Sequence, residues 1–380
     1  MKLLTLGFIL ITFASQSIWV TFSPVVTHVA GELNVSKELV GYLAVLYPLF
    51  FLILTLPSGL LLDRNFRFWL SFGAFMTFLG GFGRIFMPHS YYWLFFCQLS
   101  SAIGQPFLLN AFVPFSSRFY QERRALMISI LSLSMYLGTI FALATGYVLY
   151  ASGGIMTLIL PSAAISIVGM VIFALNIPKL KDAGKESVFV FRLGEVVKRK
   201  DLWFLGCILG LGVAAFDNMA TWLQPALETV KLGKIAGNAV ALAIILGLIG
   251  IASIPSAISK LNFRTLYIRS IIPLITAFFL ILSAYQEEIL IYPLLAISGF
   301  LMLPAYPIIM DWIAKFHEKE IQGSATGFVG LVSRAISVAL MFSAPYFIHS
   351  AGVYFSYLSA VVAIAFVFAI IMPNDRKMTR

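Results

Sequence analysis

The chain has 380 residues, 60% of them hydrophobic and only 11% charged, with a mean hydropathy of +0.95. Soluble domains carry roughly 25% charged residues, so a water-soluble globule of this size has no way to hide so much apolar surface. Two cysteines and four histidines, scattered and without metal-ligand spacing, exclude a disulfide framework or a zinc site as the organising principle.

In chain order, hydropathy resolves into about twelve runs of about 20–26 residues, each long enough to cross a ~30 Å hydrocarbon core as a helix. The first, near 4–27, follows a short basic start, and Ala14 and Ser15 imitate a signal-peptide cleavage site. Apolar sequence continues through Trp19 and Phe22, and removing the run would leave an odd number of spans. It is read as the first span. Runs near 39–62 and 67–87 bracket a short basic turn, and Arg84 stands at the outer end of the third, where snorkelling to the interface would serve it. Runs near 91–114, 125–149 and 154–177 complete a first half. Residues 178–201 break this rhythm with seven basic residues between Lys179 and Lys200. They read as a linker on the membrane surface, with a short amphipathic helix around 189–197. The second half follows near 202–227, 236–258, 267–286, 290–313, 323–347 and 353–373. The expected organisation is therefore all-α: a six-helix bundle at 1–177, a cytoplasmic linker at 178–201, a second six-helix bundle at 202–373 and a tail at 374–380. Cys97 and Cys207 fall inside apolar runs and read as small core residues.

Charge fixes the expected orientation. With the amino terminus inside, the inner loops collect Arg64, Arg67, Arg118, Arg123, Arg124, the linker cations, Lys260, Arg264, Arg269 and Lys315, whereas the outer loops hold only Lys37, Arg84, Lys231 and Lys234. This is the positive-inside rule, and it places both termini in the cytoplasm. The net charge of +10 then reflects topology and an anionic inner leaflet, with no nucleic-acid partner required. Compact loops suit a prokaryotic plasma membrane.

The two halves repeat one another. Pro57-Ser58-Gly59 followed by Asp63-Arg64-Asn65-Phe66-Arg67 returns 198 positions later (255 − 57) as Pro255-Ser256-Ala257 followed by Lys260-Leu261-Asn262-Phe263-Arg264. Arg118-Phe119 before Glu122 likewise answers Lys315-Phe316 before Glu318. Parallel repeats of this kind mark a transporter built from two bundles about an axis along the membrane normal, an arrangement for which the major facilitator halves are a standing example.

The spacing Gly59-x-x-x-Asp63-Arg64-x-x-Arg67 resembles the signature loop of the major facilitator superfamily. In that reading Gly59 allows close helix contact, Asp63 sits at a helix end, and Arg64 and Arg67 clamp carboxylates or phospholipid. The second copy has Lys260 in place of the acid, so its clamp is expected to be weaker. Asp311, beside Lys315, is expected to join an intracellular network with the loop arginines, and with Arg118 and Glu122 to form a conformational gate. A finer resemblance rests on Trp19, Gln105, Arg118-Phe119, Glu122, Tyr136-Leu137-Gly138, Phe216 to Gln224, and Gly323-x-x-x-Gly327 leading to Arg334. These look like the feline-leukaemia-virus subgroup C receptor family of solute carriers, whose members are linked to choline, ethanolamine, heme or vitamin-like solutes. The resemblance implies a substrate-facing aromatic at Trp19 and cavity positions at Tyr136 and Arg334. This chain departs from the family's choline carriers there, since they have glutamine at both of the latter positions.

Two ionisable residues fall near mid-span, Asp217 in the seventh run and Arg334 in the eleventh. A charge at that depth costs roughly 2.5–3.5 kcal/mol on insertion scales and must face a cavity or a partner. By the repeat offset Arg334 answers Tyr136 (334 − 198 = 136), so both are expected to approach one pseudo-symmetric cavity. Arg334 either recognises an anion through its forked guanidinium or pairs internally with Asp217. Asp217 is either a protonatable coupling residue or that structural partner. Trp19, Gln105 and Asn218 complete the candidate substrate contacts. Trp222, Asn110 and Gln224 stand open between cavity and helix-to-helix bonding. No phosphate-binding glycine loop with its lysine is present, so neither an enzyme nor an ATP-driven pump is encoded. The expectation is a monomeric secondary or facilitative transporter without cofactor, moving a small organic anion or zwitterion by alternating access, with protons as a candidate coupling ion. The alternatives are a carrier of a cationic amine and a non-transporting solute sensor; the lack of an appended soluble domain argues against the sensor.

Overall fold

A computed structural model describes residues 2–180 and 193–375, so the centre of the expected linker and nearly all of the tail lie outside the described residues. Every regular element among the described residues is a helix. Among the described residues, nine continuous helical stretches are long and apolar enough to cross a membrane, one of them Leu126–Asn176 at 51 residues. At 1.5 Å per residue that stretch would run to roughly 75 Å, far beyond one crossing. It is broken at Gly153–Gly154, between the expected fifth and sixth runs. Gly154 takes φ 68°, ψ −157°, a backbone conformation in which an L side chain is strained.

Backbone contacts divide the chain into two compact units, Met1–Val188 and Phe189–Arg380. In unit 1, α1 (Lys2–Trp19) stops short of a full span. The chain passes through a turn and a 3₁₀ segment at Ser23–Val25 before α2 (Val26–Leu33) resumes. Pro24 lies in that interruption and brings no backbone N–H to bridge it. Then come α3 (Lys37–Arg64), α4 (Phe66–Gly83), α5 (Tyr91–Leu109), α6 (Phe112–Phe119) and α7 (Arg124–Asn176). Local chemistry sets the turns. Ser36 caps α3 by accepting the Leu39 N–H, and Asn65 both ends α3 and caps α4 by accepting the Phe68 N–H at 2.9 Å.

Unit 2 opens with the short α8 (Leu193–Val196), which falls within the amphipathic segment expected at 189–197; residues 189–192 of that segment lie outside the described residues. It continues with α9 (Lys200–Glu228), α10 (Ala236–Leu261), α11 (Arg264–Ala284), α12 (Glu288–Met302), α13 (Ala305–Phe316), α14 (Lys319–Ser343) and α15 (Ala351–Ile371). Asn262 ends α10 in the left-handed region at φ 54°, a conformation asparagine adopts more readily than most residues.

Both units are built inside out relative to a soluble bundle. Large apolar side chains such as Leu175, Val148, Ile289 and Phe96 stand exposed, while Gln98, Asn218, Ser166 and Ser337 are buried. That distribution fits a hydrocarbon surround, where helix contacts rest on close packing and internal hydrogen bonds. The α1–α7 crossing shows the packing limit: a Cβ at Gly138 would lie 2.2 Å from the Phe13 carbonyl oxygen. Gly59 does not behave this way. A Cβ there would meet nothing within 4 Å, so the close helix contact expected of it is absent. Gly138→Val should therefore lower the thermal stability of the detergent-solubilised protein, at a cost of about 1–3 kcal/mol from forced separation of α1 and α7. Gly59→Ala should leave stability unchanged or slightly raised; equal losses for the two variants in a melting assay would contradict this packing account.

Candidate functional site

One buried polar constellation in unit 2 joins α9 and α14. Arg334 Nη1 donates to Asp217 Oδ2 at 2.8 Å, and the Ser337 hydroxyl donates to the same oxygen at 2.6 Å. Ser337 follows Arg334 by three positions, so both project from one face of α14 toward α9. The pair is unequally placed: the Asp217 side chain is 4% exposed and that of Arg334 29%. The acid is thus buried behind the base, and the accessible member is the cation. Tyr306 of α13, an exposed residue, lies within electrostatic reach of the guanidinium. Asn218, next along α9, is fully buried and donates back to the Ala214 carbonyl at 2.8 Å. Nearby, the Trp222 indole donates to the Met341 carbonyl at 3.1 Å and pins α9 to α14, a packing role.

Trp19, Gln105 and Tyr136 lie in unit 1. Trp19 is only 9% exposed and its indole donates to the Ala44 carbonyl at 3.0 Å, with its ring 6.4 Å from that of Tyr47. Gln105 is buried on α5 and Tyr136 half-buried on α7. Asn110 serves helix-to-helix bonding, donating to the Thr55 carbonyl and to Ser58 Oγ, each at 2.8 Å. The interruption after α1 has its own polar support. Gln98 Nε2 donates to the carbonyls of Ile18 at 3.0 Å and Trp19 at 3.2 Å at the end of α1, where the only backbone donor to Ile18 is the Thr21 N–H at 3.4 Å. Sequence reasoning passed over Gln98 and Ser337; Gln98 was detectable as an amide one residue from Cys97 in an otherwise apolar run.

Arg84 requires correction. Far from snorkelling at an outer helix end, it is fully buried in unit 1 and donates from Nη2 to Ser162 Oγ at 3.0 Å. Its position at the carboxyl cap of α4 turns the side chain back over the preceding turn, into the bundle instead of toward the interface.

The second signature loop also differs from expectation. In unit 1 Asp63, Arg64 and Arg67 are exposed, as is Glu122, while Arg118 packs its guanidinium over the Phe66 ring at 4.3 Å. Phe66 and Arg118 thus meet face to cation beside this loop, and Asp63 and Arg67 have interactions of their own. In unit 2 the clamp lacking a local acid is not the weak one. Arg264, 5% exposed, donates from Nε to Asp311 Oδ2 at 2.6 Å, with its Nη2 at 2.5 Å from the same oxygen. Ser259 adds a bond at 2.5 Å, and Asp375 approaches Arg264 Nη1 at 3.6 Å and accepts its backbone N–H at 2.9 Å. Asp311 therefore joins the loop network as expected, and supplies from α13 the carboxylate that Lys260 does not. Lys315 bonds to Asn262 beside it. Among the described residues no group of histidine, cysteine and acidic side chains is arranged to hold a metal.

This all-helical architecture matches the model of the Major Facilitator Superfamily over residues 8–342, and the chain belongs to that family. Solved structures agree on the fold. The nucleoside transporter NupG superposes with a TM-score of 0.74 at 13% identity, covering 97% of this chain and 98% of its own. The D-xylose-proton symporter gives 0.71 at 12% identity, covering 99% and 98%. A bacterial homolog of the human lysosomal transporter Spinster, in an inward-facing and unoccupied conformation, gives 0.71 at 14%, covering 97% and 94%. An uncharacterized protein of Archaeoglobus fulgidus is 26% identical over 165 residues, 42% of this chain and 76% of its own length. The chain is thus a multi-pass membrane protein of a transporter family, not an enzyme.

The Asp311 network yields a direct expectation. Asp311→Asn removes the charge that neutralises a buried guanidinium and should destabilise unit 2 by about 1.5–3 kcal/mol, the range for hydrogen bonds to charged groups. Faster amide exchange around α11 and α13, read by mass spectrometry, would register the loss; an unchanged exchange pattern would show that Asp375 alone suffices.

Proposed function

We propose that this chain is a secondary transporter for a small organic anion or zwitterion, with Arg334 as the group that recognises the substrate's carboxylate or phosphate. The observation that carries this reading is the inequality of the Arg334–Asp217 pair: the base is accessible and the acid is buried behind it. An arriving anion meets a guanidinium whose fork matches its own oxygens. A cationic amine would meet the same positive charge first, which disfavours the choline-like alternative. Tyr306, Ser337 and Asn218, in the same unit as Arg334, supply hydroxyl and amide groups suited to the rest of a compact polar solute, and Trp19, Gln105 and Tyr136 of unit 1 stay candidates on the sequence pattern alone.

The same pair offers a coupling device. A substrate carboxylate engaging Arg334 competes with Asp217 for the guanidinium. A buried carboxylate deprived of its cation is costly to keep ionised, so Asp217 takes up a proton as the substrate binds. Release of substrate restores the ion pair and returns the proton, which makes substrate and proton move together. Twelve crossings, with both termini in the cytoplasm of a plasma membrane, remain the topology that the charge pattern supports. In this topology the loops that hold Arg64, Arg67, Arg118 and Glu122 in unit 1, and the segment that holds Asp311 in unit 2, are cytoplasmic and are each candidate gating elements.

The variants separate the roles. Once a substrate has been found by screening carboxylates, phosphates, amines and vitamins for thermal stabilisation, Arg334→Gln should reduce uptake into proteoliposomes by at least tenfold, and full uptake would refute anion recognition. Asp217→Asn should retain substrate counterflow while losing accumulation driven by a pH gradient. If it instead accumulates substrate like the parent protein, Asp217 is not the coupling residue.

A further inference from the structure

We propose that the interior of unit 1 holds a small monovalent inorganic anion, of the halide class, against Arg84. The side chain is fully buried, and its guanidinium is surrounded by groups from four other parts of the unit. Ser162 of α7 accepts from Nη2 at 3.0 Å, the Phe22 ring before the 3₁₀ segment lies 5.7 Å away, and Tyr47 of α3 and Cys97 of α5 are its electrostatic neighbours. None of these is an acid. Among the described residues no carboxylate pairs with Arg84, so the charge stands without a counter-charge in a bundle that faces hydrocarbon. Leaving an ion in that condition costs several kcal/mol.

The unmet donors are specific. Arg84 Nε and Nη1 are buried and have no hydrogen-bond partner, and the Tyr47 hydroxyl near the guanidinium has the Ser101 hydroxyl within reach. Buried polar groups are nearly always satisfied, and two orphaned donors on one buried cation call for an occupant. Guanidinium nitrogens can only donate, and hydroxyls rotate to donate. A site of donors carrying one positive charge is complementary to a single negative charge. Bundle helices here approach to backbone contact, which favours a monatomic ion over a polyatomic one. This site is separate from the Arg334–Asp217 pair and does not depend on that pair's role.

Melting of the purified protein at fixed ionic strength tests it, with sodium chloride or bromide exchanged for sodium gluconate. Binding to the folded state alone raises stability by RT ln(1 + [L]/Kd), so the melting temperature should climb steadily with chloride or bromide concentration. Arg84→Met should abolish the dependence, and Arg334→Gln should keep it. Identical melting in chloride and gluconate would overturn the proposal. So would a chloride effect that survives in Arg84→Met, or one lost only in Arg334→Gln, which would locate the ion at the other arginine. Should Arg84→Met fail to fold, crystals of the parent protein grown in bromide decide the matter: an anomalous peak beside the guanidinium is expected, and its absence refutes the site.

Discussion

A polar group that enters a hydrocarbon layer must find its partner inside its own bundle, and most of this structure follows from that one constraint. It explains why every element among the described residues is helical and why the interruption after α1 is attended by Gln98, whose amide meets the carbonyls of Ile18 and Trp19. Asn110 reaching to Thr55 and Ser58, and Trp222 reaching to Met341, are the same solution applied between helices. Because the lipid rewards no apolar burial between helices, such bonds and the close crossing at Gly138 carry specificity that a hydrophobic core supplies in water.

Charges obey the constraint more strictly, and they sort into two kinds. Arg264 is enclosed by Asp311, Asp375 and Asn262 and reads as fixed structure. Arg269 likewise spends its guanidinium on the carbonyls of Ala369, Ile370 and Met372, closing the end of α15. Arg334 differs in having one buried carboxylate on one side and partial exposure on the other. Arg264 and Arg269 are surrounded, whereas Arg334 is approachable.

How much of this was legible beforehand depended on whether the signal was local. Helical runs, a boundary between those near 125–149 and 154–177, and the pairing of Asp217 with Arg334 as an open alternative were readable, since hydropathy and isolated mid-span charges are properties of short windows. The repeat located the second signature but misjudged it. Lys260 implied a weak clamp, whereas the compensating acid, Asp311, comes from another helix 47 positions beyond Arg264 (311 − 264), and nothing in the local motif announces it. Arg84 failed for the opposite reason. Its place near a span end made snorkelling the economical reading, yet the direction of a side chain at a helix cap is set by the backbone and its neighbours, and here both turn it inward. Gly59 shows that a residue's place in a signature does not reveal what its small size is for.

The Arg334–Asp217 pair then has a thermodynamic consequence for transport. A substrate that must displace a buried carboxylate gains only the difference between two similar charge-assisted bonds, so recognition by the arginine alone contributes little net affinity. Weak net binding suits a carrier, which has to release what it captures, and tight binding to one state would only stall the cycle. Under the coupling role proposed for Asp217, the proton would supply the missing bias. Where protons are plentiful, neutralising Asp217 would remove the competitor and strengthen the proposed site for substrate; where they are scarce, re-ionised Asp217 would reclaim Arg334 and expel it. In that proposal the one oxygen shared by Arg334 and Ser337 makes affinity differ on the two sides of a membrane.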